Sequence, residues 1–146
     1  MKIAGLQKTS LIDYPDQIAT VIFTQGCNLR CPYCHNPELI PEPKETEDYL
    51  VPEQIWSFLG DRKDLIDGVV ITGGEPTLQS DLKAVISKIK KLGLKVKLDT
   101  NGADTEIIRS LTDKNLVDYI AMDVKLPLSA YNHLDGGQLT KAIDDS

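Results

Sequence analysis

No apolar run in the 146-residue sequence approaches the ~20 residues needed to cross a bilayer. The opening MKIAGLQKTSLIDYPD breaks its apolar stretches with Lys, Gln and Asp too early for a signal peptide. Those absences make the expected location cytoplasmic, with no membrane partner. Positive charge is also scarce: 16 Lys+Arg against 22 Asp+Glu leave a formal charge of −6. Such a chain has no general attraction to phosphate backbones, so nucleic acid is not an expected partner. Repeats, low-complexity tracts and interdomain linkers are missing too, and the Pro-rich, charged Pro41–Tyr49 reads as a surface loop. Cysteine is absent outside one window, where Cys27, Cys31 and Cys34 stand together. An odd, clustered set excludes a disulfide framework and points to a metal or cluster site. What remains is ordinary: 41% hydrophobic and 26% charged residues make one domain, 1–146, able to bury roughly two thirds of its unfolded surface. A disordered chain would lack that apolar surface.

Strands and helices alternate in the pattern. Ile18–Thr24, Gly68–Thr72, Leu94–Leu98 and Tyr119–Val124 read as strands, from β-branched apolar runs or strict alternation. Pro52–Leu59 reads as a helix with Pro at its first position. Ser80 reads as the N-cap of a helix running to about Leu92, with Leu82, Val85, Ile86 and Ile89 on one face and Gly93 at its stop. Thr105–Leu111 repeats the helical period. This order predicts βαβ units and a parallel sheet, either doubly wound or a partial barrel. Ligands of such folds sit on the loops after the strands. Here those loops are Gln25–Asn36, Gly73–Gln79, Asp99–Ala103 and Asp123 onward.

The first loop, QGCNLRCPYCHN, spaces its thiols Cys27-x3-Cys31-x2-Cys34. Three thiolates on one loop can hold three corners of an iron–sulfur cubane and leave the fourth iron open to a ligand. The alternatives are a Cys₃His zinc site using His35, or simply buried thiols. The other histidine, His133, stands alone far along the chain. In the second loop, Gly73 and Gly74 allow close approach of backbone to a ligand, and Glu75 offers a carboxylate to an ammonium; a tight turn with a surface Glu would look the same. Asp99, Thr100 and Asn101 can bond ribose hydroxyls or a small cation, or build an Asx-type turn. Asp123 and Lys125, two apart on a strand, share one face and can form a plain ion pair.

Together these blocks resemble the radical S-adenosylmethionine (radical SAM) superfamily. CNLRCPYC matches its CxxxCxxC motif and GGEP its second-strand motif. GCNLRCPYCHNPEL, VVITGGEPTLQ, KLDTNG and IAMDVK resemble successive blocks of the glycyl radical enzyme activases, and the N-terminal part is most similar to the short anaerobic ribonucleoside-triphosphate reductase activating proteins. The resemblance implies an α/β fold, a parallel-stranded partial (βα) barrel that here stops after about four βα units. It implies that Cys27, Cys31 and Cys34 ligate a 4Fe–4S cluster whose fourth iron is chelated by SAM. Tyr33 and His35 would lie beside the adenine, and Gly73, Gly74 and Glu75 would contact the SAM amino group. Asp99, Thr100 and Asp123 resemble a site where a monovalent cation meets the SAM carboxylate, with Asn101 beside them as a further cofactor-binding residue, and Lys125 resembles a SAM-contacting lysine. The reaction implied is an oxidoreductase one: the reduced cluster cleaves SAM to a 5′-deoxyadenosyl radical, which takes hydrogen from a glycine of a partner enzyme. A low-potential donor such as flavodoxin or ferredoxin would supply the electron.

Three features depart from the activases. Extra ferredoxin-like cysteines are absent, DYPDQIA stands where DGPG-x-R is common, and the tail GGQLTKAIDDS carries no fifth strand, where the family core has six βα units. The rival readings are a radical SAM enzyme acting on a small molecule, similar to 7-carboxy-7-deazaguanine synthase, and a non-catalytic zinc or electron-transfer module.

Overall fold

The computed structural model describes residues 1–41, 49–127 and 130. Most of the Pro41–Tyr49 loop, His133 and the tail lie outside the described residues. Five strands form one sheet: β1 (Ile3–Ser10), β2 (Ala19–Thr24), β3 (Gly68–Gly73), β4 (Lys95–Thr100) and β5 (Tyr119–Met122), in the spatial order β1-β2-β3-β4-β5. β2 to β5 run parallel, and β1 pairs antiparallel with β2 at the edge. Helices α1 (Pro52–Arg62), α2 (Leu82–Lys91) and α3 (Thr105–Asp113) make the crossovers.

The strand order decides between the two architectures left open by the sequence. A doubly wound sheet reverses direction from its first strand and places helices on both faces. Here each parallel strand lies beside its predecessor, so right-handed crossovers put every helix on one face. The packing agrees. Ile22, Val69, Ile71, Val96 and Leu98 point to a core with Ile55 and Leu59 of α1, Val85, Ile86 and Ile89 of α2, and Leu111 of α3. The opposite face carries a smaller cluster, Tyr14, Ala19, Val21 and Val70, with Phe23 against it. The sheet is therefore a barrel segment with an inner face free of helices among the described residues.

One strand was not expected, and two expectations need correction. β1 is a strand that apolar patterning missed. Its middle residues Gln7–Thr9 are exposed, and its pairing with β2 is interrupted by two register shifts, as suits an irregular edge. Ser80 does not cap α2. The helix begins two residues later with Asp81 at the N-cap position, and no side chain bonds there. The last strand ends at Met122, which puts Asp123 and Val124 in the connection that follows. Elsewhere the local signals hold. Gly93 stops α2 with φ +84°, and Asp104 caps α3 by accepting from the Ile107 N–H at 3.0 Å.

Candidate active site

The four parallel strands end at one rim, and their following segments enclose a cleft of about 450 Å³. Its wall includes Cys27, Cys31, Tyr33, Cys34 and His35 after β2, and Gly73, Gly74 and Glu75 after β3. Asp99, Thr100 and Asn101 at the end of β4, with Asp123 and Lys125 after β5, complete the wall. Every residue singled out from the sequence thus borders the same space, which is large enough for a small-molecule ligand.

Backbone hydrogen bonds shape the cysteine loop. Gly26 N–H donates to the Leu39 carbonyl at 2.8 Å and Cys27 N–H to the Ile40 carbonyl at 3.1 Å. Cys34 N–H closes on the Cys31 carbonyl at 3.1 Å. Leu29, only 1% exposed, packs beneath the loop with Cys27, Cys31 and Leu126 around it. The loop is also tied to three other segments. Glu75 N–H reaches the Gly26 carbonyl at 2.8 Å, Asn101 Nδ2 reaches Asn28 Oδ1 at 2.8 Å, and Tyr33 Oη donates to the Lys125 carbonyl at 2.6 Å. All three thiols are free and partly exposed. Burial pushes the Cys27 thiol up; the Leu29 N–H on its sulfur opposes this, and the charge of Glu75 adds to it. Burial likewise raises Cys31, with Lys125 pulling the other way. Among the described residues, no three His, Cys, Asp or Glu side chains converge on a single-ion position.

Glu75 has a second task besides lining the cleft. It is 1% exposed, and its carboxylate accepts four hydrogen bonds from protein donors. Oε1 accepts from Thr77 N–H at 3.1 Å, Thr77 Oγ1 at 2.6 Å and Thr100 Oγ1 at 2.7 Å, and Oε2 accepts from Asn101 N–H at 2.8 Å. It caps the short 3-10 turn Pro76–Leu78 and fastens the end of β4 to the end of β3. Thr100 and Asn101 are correspondingly committed. The Thr100 hydroxyl also accepts from Gly102 N–H, and Asn101 Oδ1 accepts from Ala103 N–H at 3.0 Å, an Asx-type turn.

The glycines matter for a related reason. Gly73 adopts φ +120°, a region side-chain-bearing residues avoid. A Cβ on Gly74 would land on the carbonyl of Gly26 and lie 3.0 Å from the Leu39 carbonyl. The chain's own cysteine loop makes one such close approach, and Gly73 and Gly74 also line the cleft. Gly74→Ala is therefore expected to cost about 1–3 kcal/mol of stability by overpacking, even before any ligand is added. Thermal melting of the metal-free protein checks this, and an unchanged midpoint would contradict it.

Two acids remain, and each faces a lysine. Lys97 Nζ contacts Asp99 Oδ1, and Lys125 Nζ meets Asp123 Oδ2 at 2.6 Å. Burial raises the Asp99 carboxyl; bonds from Lys97 and Thr72 oppose the rise, and the nearby Asp123 charge reinforces it. Burial disfavours the Lys125 ammonium, but Asp123, Cys31 and Tyr33 outweigh it and hold the group above the ordinary lysine range. Sequence reading passed over Lys97 and Thr72. The signal for Lys97 was present: in LKVKLD it stands two residues before Asp99, on the same face of the strand.

Comparison with known proteins falls on the same region. The family model described as the Radical SAM superfamily matches residues 21–138. A Methanocaldococcus jannaschii protein whose name places it among glycyl-radical enzyme activating enzymes is 41% identical over 149 residues, covering 97% of this chain and 59% of its own length. The pyruvate formate-lyase-activating enzyme of Clostridium pasteurianum is 35% identical over 130 residues, covering 84% of this chain and 53% of the relative. The chain thus spans a little over half the length of these relatives. Among solved structures, TYW1 with a lysine-pyruvate adduct bound superposes with a TM-score of 0.55 at 21% identity, over 87% of this chain and 49% of the other. QueE from Escherichia coli gives 0.51 at 21%, over 70% and 52%. At that identity the likeness is one of fold. Among the described residues, no helix is long and apolar enough to cross a membrane.

Proposed function

Since the chain belongs to the radical SAM superfamily, we propose that it is the catalytic portion of a glycyl radical enzyme activase. Its cleft would hold a 4Fe–4S cluster on Cys27, Cys31 and Cys34 and one molecule of SAM alongside. The observation that carries this reading is the convergence of the three free thiols with the ends of β3, β4 and β5 on one cleft of small-molecule size. The donor set fits the group. Three soft sulfurs on one backbone-braced loop suit a cluster with one open corner better than a closed zinc site, which draws on separated ligand pairs. When bound, cluster and SAM together supply the one-electron chemistry that generates an adenosyl radical.

The protein's own groups have simpler tasks. The cysteine loop presents the thiols. Gly73 and Gly74 bring bare backbone to the rim, and Glu75, which braces that rim, would meet the SAM amino group with them. Tyr33 and His35 flank the adenine end. Exposed Asp123 and half-buried Lys125, at the far side, would meet the amino-acid end of SAM. The sequence relatives favour a glycyl radical enzyme as partner. An anaerobic ribonucleoside-triphosphate reductase is the partner the N-terminal resemblance favours, with flavodoxin or ferredoxin as electron donor. A monovalent cation at Asp99, Thr100 and Asp123, which the resemblance implies, would have to compete with the lysines that already face the two acids.

Anaerobic reconstitution with iron and sulfide, then SAM and a strong reductant, tests the proposal. 5′-Deoxyadenosine and methionine are expected. A glycyl radical signal should follow on adding an anaerobic ribonucleotide reductase. Sulfide-free zinc protein would overturn the reading outright, whereas SAM cleavage without radical transfer to any glycyl radical enzyme would redirect it to a small-molecule substrate.

A further inference from the structure

Lys97 is 7% exposed, on the inner face of the sheet, where its ammonium reaches the cleft-lining Asp99. The strand register explains its surroundings. Lys97 lies opposite Tyr119 on β5, and Asp99 lies opposite Ala121. Lys97, Asp99, Tyr119, Ala121 and, beyond the strand, Asp123 therefore share one face. The Lys97 ammonium contacts the Asp99 carboxylate and sits 6.0 Å from the centre of the Tyr119 ring. Lys125 Nζ, 2.6 Å from Asp123 Oδ2, completes a group of two acids and two bases. Its formal charges cancel.

We propose that Lys97 is a built-in counter-ion, an ammonium on the strand that does at Asp99 what a dissolved monovalent cation would otherwise do, so that SAM docks without selecting among alkali metal ions. The proposal rests on the reading that this cleft binds SAM. Two uncompensated carboxylates at the rim would repel the carboxylate of the ligand, and some positive charge must lie between them. A sodium or potassium ion brought to Asp99 would meet an ammonium already there, and like charges at such range repel strongly where water is scarce. A hard cation also needs several oxygen ligands, and the amine contributes none. The tether matters as well: a dissolved ion must be recruited from solution at each binding event, whereas Lys97 is held by its own strand. Lys97 is thus a positioning residue. It sets the orientation and the effective charge of Asp99 without itself reaching the reacting atoms.

The test is SAM binding to the reconstituted, unreduced protein by calorimetry in sodium, potassium and tetramethylammonium chloride at one ionic strength. The wild type is expected to give the same dissociation constant in all three, within about twofold. Lys97→Ala removes the ammonium and leaves room for an ion. It should bind SAM about tenfold more weakly in tetramethylammonium and recover in sodium or potassium, a selectivity that a purely structural loss would not produce. A wild-type constant that differs fivefold between potassium and tetramethylammonium would overturn the proposal, as would a Lys97→Ala protein indifferent to the salt. If Lys97→Ala does not fold, the wild-type series alone decides. Failure of the wild type to bind SAM in any salt would instead refute the functional reading, and the proposal with it.

Discussion

Glu75→Ala is expected to destabilise the protein by about 3–5 kcal/mol, the range reached when a buried, multiply bonded group is removed and its partners are stranded. Four donors now end on this carboxylate: Thr77 through both N–H and hydroxyl, the Thr100 hydroxyl and the Asn101 N–H. Alanine strands all four on residues no more than 5% exposed. Such a loss is a large share of the ~5–15 kcal/mol that holds a domain together. At about 2–4 °C per kcal/mol for a chain of this size, the melting point should fall by roughly 10 °C. Glu75→Gln discriminates further. Its amide oxygen can keep the Oε1 bonds, but the NH₂ turned toward Asn101 N–H sets donor against donor, so an intermediate loss is expected. If both variants melt with the wild type, the hub described here does not bear on stability.

Replacing Cys27, Cys31 or Cys34 by alanine is expected to reduce iron and sulfide uptake to background and to abolish SAM cleavage. The sequence contains no other cysteine to substitute. Folding should survive, because the loop is held by backbone bonds to Leu39 and Ile40 and by buried Leu29 rather than by sulfur. Circular dichroism of the metal-free variants should therefore match the wild type while the cluster absorbance is lost. Burial holds Cys27 and Cys31 above the usual thiol range, so iron must displace protons from them. Loading should accordingly become more favourable as pH rises toward the thiol range, and release protons as it occurs. Normal iron, sulfide and turnover in Cys27→Ala would refute the ligand assignment.

The sequence announced the site more clearly than the way the site is held together. Spacing and period located the four strand ends, and with them most of the residues that border the cleft, because a parallel sheet delivers its loops to one rim. Direction was not legible. Nothing in TGGEP says that Glu75 turns inward, since the residues that receive it, Thr100 and Asn101, lie on a different strand. Nor does the motif say that Gly74 is pressed against Gly26. Both facts depend on how two loops meet in space. Lys97 was overlooked for the opposite reason. Alternation in LKVKL is so ordinary a strand signal that its second lysine reads as solvent-facing, whereas the inner face of this sheet buries it. β1 escaped notice because an edge strand with exposed Gln7, Lys8 and Thr9 has little apolar pattern to show.

The bonds that tie down the cysteine loop also bear on the order in which the protein can be assembled. Gln79 holds the Gln25 carbonyl across 54 residues of chain, Asn101 holds Asn28 across 73, and Tyr33 reaches the Lys125 carbonyl across 92. Contacts so distant in sequence close late, because the entropy of the intervening chain must be given up before they form. The segment carrying the thiols is synthesised early and can close its local bonds to Leu39 and Ile40, yet its ties to the ends of β3, β4 and β5 form only after those strands have docked. Iron offered during synthesis meets a loop that is only partly fastened, so productive cluster insertion belongs after the sheet is complete.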